Sequence, residues 1–248
     1  MRARRCGGFT LVEMALVLVL LALTISGLVI PLARQVEMRR IADAQRQLDD
    51  ARDALLGFAA INGRFPCPDA NTGTGANDGL EDQTGAAGAR TCAALSGSGA
   101  SQVALGSLPW ATLGIADADP WGNRLRYAVT PAFAQEAAAV GGLFQLTTTG
   151  NMRVCAQSGC AAGTVLAATL PAVILSHGPN GLGAVNTSGA ANPSPVAADE
   201  RDNADAALAP ADFVWHPMTG GAVVFDDVVT WLPMPVIANR LIVAGRLP

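Results

Sequence analysis

The amino-terminal stretch "GGFTLVEMALVLVLLALTISGLVI", from Gly7 to Ile30, decides the fold of this chain. Met14 to Ala33 is a predominantly apolar run of 20 residues, which as a helix measures ~30 Å and matches the hydrocarbon core of a bilayer. One acid, Glu13, stands directly before it. A carboxylate at the centre of a membrane helix costs ~2.5–3.5 kcal/mol, so Glu13 needs a specific explanation.

The residues before the apolar run differ from those of an ordinary secretory signal peptide. Arg2, Arg4 and Arg5 precede the run and favour a cytoplasmic amino terminus. A signal peptidase cuts after the apolar region, at a small-x-small site. Here the small residues Gly7 and Gly8 come before it. Cleavage at this point would leave the apolar helix on the mature protein.

The segment Gly8-Phe9-Thr10-Leu11-Val12-Glu13, behind a short basic leader, resembles the type IV pilins and the pseudopilins of type II secretion. The resemblance implies that a prepilin peptidase cuts between Gly8 and Phe9 and methylates the new amino terminus of Phe9. Residues 1–8 are then a leader, and Glu13 becomes the fifth mature residue. A buried charge is tolerable when paired, so the expected partner of Glu13 is the Phe9 amine of a neighbouring subunit. The alternative is an interfacial acid at the headgroup edge.

The helical pattern continues beyond Pro31. Apolar residues recur at three-to-four spacing from Val36 to Ala59, and charged residues fill the opposite face. The sequence predicts a helix from Phe9 to Ile61 that ends before Gly63 and Pro66. The expected layout is a leader (1–8), a transmembrane and assembly helix (9–33), its amphipathic continuation (34–62) and a periplasmic globular domain (63–248).

The rest of the chain predicts an α+β domain, in which the long helix packs on a small antiparallel sheet with long loops. No regular element is expected over residues 67–107, and residues 178–212 are expected to form an irregular loop. A terminal helix or tail is expected over Val236 to Val243. The expected strands are Leu125 to Val129, a hairpin of Leu143 to Thr149 with Met152 to Cys155, Ala172 to Ser176, and Ala222 to Phe225.

Four of the five cysteines lie beyond the apolar segment, and this even set in a chain that crosses a membrane indicates two disulfides in an oxidising compartment. Cys6 lies in the leader, and the other four permit three disulfide connectivities. Cys67–Cys92 and Cys155–Cys160 are favoured because each pair is local in sequence. A metal site is the alternative, but neither pair has C-x-x-C spacing.

A second stretch, "DPWGNRLRY" from Asp119 to Tyr127, resembles the Asp-Pro-Trp-Gly-Asn-x-x-x-Tyr segment of major pseudopilins. Those proteins carry a calcium site in a loop, which implies calcium ligands here at Asn180, Asp199, Asp202 and Asp205. A solvated acidic loop is the alternative. The chain is much longer than a major pseudopilin, which favours a minor subunit.

Composition and motifs argue against two classes of function, nucleic-acid binding and catalysis. Formal net charge is −4, all 16 basic residues are Arg, and no basic stripe is present, which argues against nucleic-acid binding. The chain has two histidines and no G-x-S-x-G motif. Asp226 and Asp227 could form a catalytic carboxylate pair, but neighbouring strand residues point to opposite faces. An enzyme is therefore not expected.

The sequence thus predicts a structural minor pilin or pseudopilin of a type IV pilus or type II secretion system. Its expected partners are prepilin peptidase, other pilin or pseudopilin subunits, the inner-membrane assembly platform and the membrane itself. A single inner-membrane pass would leave the carboxyl-terminal domain in the periplasm before assembly. The alternative is a membrane-anchored binding module, such as an adhesin or a DNA-uptake tip subunit.

Overall fold

The computed structural model describes residues 9–70, 77–136, 145–204, 211–219 and 224–246, without the side chains of residues 25–33 and 100. The chain divides into two compact units, Met1–Ala42 and Asp43–Pro248. The described helices are α1 Leu11–Asn62, α2 Trp110–Leu113, α3 Pro131–Ala134, α4 Ala198–Ala204 and α5 Met234–Val243. The described strands are β1 Gln83–Thr84, β2 Thr91–Cys92, β3 Leu95–Ser96, β4 Val103–Ser107, β5 Arg126–Val129, β6 Met152–Cys155, β7 Val165–Leu170, β8 Ala172–Ser176, β9 Asp212–Val214 and β10 Val228–Leu232.

The first unit contains the amino-terminal part of α1. Every large apolar side chain of residues 9–23 is exposed. Among the residues with described side chains, which exclude 25–33, no helix is both long and apolar enough to cross a membrane. The transmembrane segment over residues 9–33 therefore stays a prediction.

The second unit is built on a five-stranded antiparallel sheet with the order β10-β8-β5-β4-β3. The carboxyl-terminal part of α1 packs on one face of this sheet, because Ala44, Leu48, Ala51, Leu55 and Ala59 recur every three or four residues and are all buried. Most of them join one core cluster with strand residues such as Tyr127 and Ile174 and with Ile237 of α5. The amphipathic stripe predicted from the sequence is thus the helix face that builds the main core.

A second sheet covers part of the opposite face. Its strand order is β7-β6-β9, with β6 and β7 antiparallel and β6 and β9 parallel. Only Pro171 separates β7 from β8, so the chain passes directly from one sheet to the other. The two sheets share a second apolar core that includes Val103, Val173 and Phe213. The α+β class is therefore right, but the single small sheet expected from the sequence is incomplete.

Several element predictions are wrong. Residues 67–107 contain β1 to β4, and β4 pairs with β5 inside the main sheet. β6 pairs with β7 and β9 rather than with the segment before it; residues 143–144 lie outside the described residues, and residues 145–149 form no strand. Of the strand expected over Ala222 to Phe225, residues 222–223 lie outside the described residues, and Phe225 forms an isolated bridge to Thr219. The last described strand is β10. The stretch 178–212, expected to be irregular, contains α4.

Candidate functional site

The first candidate site is the start of α1, where Thr10 and Glu13 bond reciprocally. The Thr10 amide and hydroxyl both donate to Glu13 Oε2, at 2.8 and 2.9 Å, and the Glu13 amide donates to Thr10 Oγ1 at 3.3 Å. Leu11 is the first helical residue, so Thr10 is the N-cap and Glu13 is the third helical position. This is the capping box of the pattern Thr-x-x-Glu.

The capping box gives the Glu13 carboxylate partners within its own chain. Both bonds fall on Oε2, and Oε1 accepts none from the described residues. Phe9 stands directly before the cap residue Thr10, so its backbone nitrogen is at the same end of the helix as the Glu13 carboxylate. Phe9 is also 80% exposed. The Thr-x-x-Glu spacing of Thr10 and Glu13 is a capping signature that can be recognised in the sequence, although it was not among the features predicted above.

The second candidate site is a buried group of three acids, Glu200, Asp226 and Asp227. Each offers a carboxylate oxygen, and these oxygens lie within 4.8 Å of one another. Glu200 comes from α4, and the two aspartates directly precede β10. Because β10 begins only at Val228, the alternation that would turn Asp226 and Asp227 to opposite faces does not apply. The prediction that Asp226 and Asp227 point to opposite faces of a strand is therefore wrong.

Neighbouring N–H groups fix the orientation of the three carboxylates. The Asn180 amide donates to Asp226 Oδ2 at 3.0 Å, and Asn180 Nδ2 donates to Glu200 Oε1 at 2.9 Å. Asn203 Nδ2 donates to Asp227 Oδ2 at 2.8 Å. Within the described residues, Asp226 Oδ1 and Asp227 Oδ1 are buried without a hydrogen-bond partner. One oxygen of each aspartate is thus held, and the other is left without a donor.

The charge of this group is poorly compensated. In the described part of the chain, the basic side chain that comes within 4 Å of one of its carboxylates is His177, whose Nδ1 lies 3.6 Å from Asp227 Oδ1 and which compensates charge only when it is protonated. Burial raises the pKa of Asp226 from 3.8 to about 7, although the Asn180 amide opposes the shift, and the nearby charges of Glu200 and Asp227 add to it. Such a group is stabilised either by a bound proton or by a bound cation.

The predicted calcium ligands are divided between two places. Asn180 lies at the three-acid group through its bonds to Asp226 and Glu200. The carboxylates of Asp199 and Asp202 instead accept from the amides of Ser158 and Gly159, at 2.7 and 3.1 Å. Asp199 Oδ2 also lies 3.2 Å from His216 Nε2. Asp205 lies outside the described residues.

A surface cavity of about 590 Å³ lies beside the three-acid group. Its lining includes Asn180 and Glu200 together with Leu182, Val196 and Val224. It gives solvent and small ions a path to Glu200. Glu200 was not predicted as a site residue because it stands in a polar stretch of sequence. The two acids between Phe225 and Val228 were a signal of buried carboxylates, because their sequence neighbours are apolar.

The four cysteines of the second unit form two disulfides, Cys67–Cys92 and Cys155–Cys160, which is the pairing favoured from the sequence. The second disulfide closes the short loop whose amides bind Asp199 and Asp202. These two acids therefore cap a disulfide loop in the structure.

Comparison with known families gives one match. Residues 3–29 match the model of the prokaryotic N-terminal methylation motif. Over this segment the chain is similar to type IV pilins and pseudopilins, as the sequence predicted, and such proteins are structural and non-enzymatic. The motif implies processing by prepilin peptidase and assembly with other pilins, and it suggests an inner-membrane anchor. No curated protein sequence and no solved structure matches the chain.

Proposed function

We propose that the chain is a minor pilin or pseudopilin subunit, assembled from the inner membrane into a type IV pilus or a type II secretion pseudopilus after cleavage between Gly8 and Phe9. The observation that carries this proposal is the methylation motif at residues 3–29. The exposed apolar side chains of residues 9–23 support it, since such a surface needs lipid or the helices of other subunits.

The proposed assembly contact joins Glu13 to the Phe9 amine of the next subunit. Before assembly, the capping box gives Glu13 Oε2 two donors, which lowers the cost of holding the carboxylate in lipid. Oε1 remains available to an incoming amine. Pairing would neutralise both charges and fix the axial position of one subunit beside the next. Removing one partner of a buried pair typically costs ~3–5 kcal/mol.

We also propose that a divalent cation, calcium by family resemblance, binds at Glu200, Asp226 and Asp227. The residues fit the ion: two oxygens that share a Ca²⁺ at 2.3–2.6 Å lie no more than about 5 Å apart, and those of the group lie within 4.8 Å. Two of the acids also have buried oxygens without a donor. A cation would supply positive charge that holds the segment before β10 against α4. Asp199 and Asp202 are not included, because disulfide-loop amides bind them.

The test of the assembly role separates the charge of Glu13 from its capping function. Glu13→Gln keeps an acceptor for Thr10 but removes the charge, whereas Glu13→Ala removes both. We expect both variants to reach the membrane and to lose co-assembly with partner subunits by roughly 10²–10⁴-fold, from ~3–5 kcal/mol. Crosslinking and pull-down of filament partners measure this loss, and Asp53→Ala, on the exposed face of α1, is the control.

Wild-type co-assembly of Glu13→Gln would contradict the charge pairing and leave Glu13 as a helix cap alone. Wild-type co-assembly of Glu13→Ala would contradict any assembly role. The membrane-anchored binding module remains the second prediction from the sequence.

A further inference from the structure

Helix α4 presents two different faces to two neighbouring parts of the second unit. Asp199 and Asp202 stand three residues apart. The same spacing separates Glu200 and Asn203, which are both buried. Side chains three residues apart lie on the same face of a helix. The first pair binds the disulfide loop, residues 155–160, and the second pair binds at the three-acid group, so α4 links that loop to the proposed cation site.

The buried face of α4 shapes the three-acid group. Glu200 supplies one of the three carboxylates, and its Oε1 accepts from the Asp226 amide at 3.2 Å. Asn203 Nδ2 donates to Asp227 Oδ2 at 2.8 Å and to the Val214 carbonyl at 3.0 Å. The spacing of the carboxylates therefore depends on the position of α4 relative to the segment before β10.

The other face of α4 is held by backbone amides of the disulfide loop. The Ser158 amide donates to Asp199 Oδ1 at 2.7 Å. The next amide, that of Gly159, donates to Asp202 Oδ2 at 3.1 Å. Hydrogen bonds to a carboxylate are stronger than those between neutral groups. Two consecutive amides of one loop thus fix both acids of this face.

The disulfide holds the loop in the conformation that presents these amides. Cys160 directly follows Gly159 and has a φ of +45°, in the left-handed region that a non-glycine residue adopts at an energetic cost. Such a conformation persists where the surrounding structure imposes it. Cys160 is bonded to Cys155, which lies in β6 and is fully buried. Without this bond we expect the loop to relax and its amides to leave the two carboxylates.

α4 is too short to keep its position by itself. The described helix has seven residues, and isolated helices shorter than about 12–15 residues are marginal in water. Its buried face also carries an unfavourable charge, because Glu200 lies against two other buried acids. In the absence of a cation, contacts on the other face have to offset that repulsion.

We propose that the Cys155–Cys160 disulfide positions the cation site through α4. The disulfide holds the loop that binds α4, and α4 in turn holds Glu200 beside the two aspartates. This inference rests on the cation site proposed above. Its consequence is an order of events, in which the site gains its full affinity after the two cysteines are oxidised. Oxidation takes two electrons and two protons from the two thiols, and the disulfide-containing oxidant that accepts them becomes two thiols.

The experiment measures calcium binding to the full-length, detergent-solubilised chain by isothermal titration calorimetry, with Ca²⁺ alone as the probe. Replacing both loop cysteines (Cys155→Ser with Cys160→Ser) should raise the dissociation constant roughly tenfold, about the effect of losing one hydrogen bond to a charged group. The matched control removes the other disulfide (Cys67→Ser with Cys92→Ser), which belongs to the main core. At a temperature where each variant is folded, the control should leave the dissociation constant unchanged.

A double-mutant cycle separates positioning from the loss of a nearby charge. Asp199→Ala removes the acceptor of the Ser158 amide and also the contact with His216, whose Nε2 lies 3.2 Å from Asp199 Oδ2. With both disulfides present, it should weaken calcium binding roughly tenfold. Without the Cys155–Cys160 disulfide we expect a further loss of at most about threefold, because the amide is no longer held there. An effect through charge or through His216 would be equal in the two chains.

The outcomes separate the positioning role from the cation site itself. Unchanged affinity after loss of the Cys155–Cys160 disulfide, or equal effects of Asp199→Ala in the two chains, would overturn the positioning role and leave the cation site standing. An unaltered chain that binds no calcium would contradict the cation site and this inference with it.

A further variant decides the question where the double-serine chain does not fold. Asp199→Asn removes the same charge as Asp199→Ala but keeps an acceptor for the Ser158 amide. We expect it to bind calcium at least about threefold more tightly than Asp199→Ala does. Equal binding by these two variants would overturn the positioning role of the loop.

Discussion

The Asp226→Asn substitution should make the second unit more stable at neutral pH when divalent cations are removed. Asparagine keeps the size of the side chain and an acceptor for the Asn180 amide, but it removes one of three buried negative charges. Because Glu200 and Asp227 remain in place, the effect reports the burial of the Asp226 charge and its repulsion by these two acids.

The magnitude follows from the pKa of Asp226, which is about 7 in the folded chain against an ordinary 3.8. The difference of about 3 corresponds to about 4 kcal/mol, and solvent at the adjacent cavity reduces it to roughly 2–4 kcal/mol. Because the folded pKa is raised, the folded chain binds more protons than the unfolded chain between these values. The free energy of unfolding therefore falls as pH rises from about 4 to about 7 and then levels off.

The assay is denaturant unfolding of the full-length chain in EDTA, followed by tryptophan fluorescence at pH 4 and at pH 7.5. Titrating groups outside the three-acid group, including Asp119, whose pKa burial also raises, contribute equally to wild type and variant, and the difference between the two proteins reports the three acids as a unit. The quantity compared is thus the difference between the two proteins at each pH. We expect near equality at pH 4, and at pH 7.5 a variant that is more stable by about 2 kcal/mol or more.

The control is Asp53→Asn, an exposed acid on α1, which should change the free energy of unfolding equally at both pH values. Millimolar calcium should raise the stability of the wild type at pH 7.5 and affect Asp226→Asn much less. If Asp226→Asn and the wild type keep the same difference at both pH values, Asp226 is ionised in the folded state at no cost. The account of the three-acid group is then wrong.

Three further predictions concern the second unit. Gly178→Ala should destabilise it by about 2 kcal/mol or more, because φ is +60° and an added Cβ would lie 2.1 Å from the Asp226 carbonyl oxygen. Denaturant unfolding measures this loss, and a value below about 0.5 kcal/mol, which is typical of neutral surface substitutions, would contradict the predicted clash. Arg64→Met should cost ~3–5 kcal/mol, because it leaves Glu81 without its two-bond partner in a largely buried pair; equal thermal midpoints for variant and wild type would refute this. Non-reducing peptide mapping of exported protein should recover Cys155–Cys160 as a linked pair, and free thiols at both positions would count against it.

The sequence predicts the elements whose signal is strong and local. α1 follows from a long apolar run and a three-to-four spacing, and β8 follows from a continuous apolar run. β4 was missed because its pattern is interrupted by Gly106, which the fold requires. A Cβ there would lie 2.3 Å from the Asp69 carbonyl oxygen. The close approach of another backbone segment thus demands the residue that weakens the strand signal.

The candidate sites divide in the same way. The amino-terminal segment is contiguous, so Gly8, Phe9 and Glu13 are readable from the sequence, and the family match covers them. The three-acid group joins Glu200 of α4 to Asp226 and Asp227, which follow it in the chain by 26 and 27 positions. That distance is closed by the packing of α4 and by the pairing of β10 with β8, and no local pattern encodes it.

The most direct test of the central claim is mass spectrometry of the amino terminus of the protein purified from its native membrane. The account predicts a chain that begins at N-methyl-Phe9 and lacks residues 1–8. The same protein from cells without prepilin peptidase should keep its leader, which ties the cleavage to that enzyme. A full-length chain that begins at Met1, in cells with an active prepilin peptidase, would contradict the account.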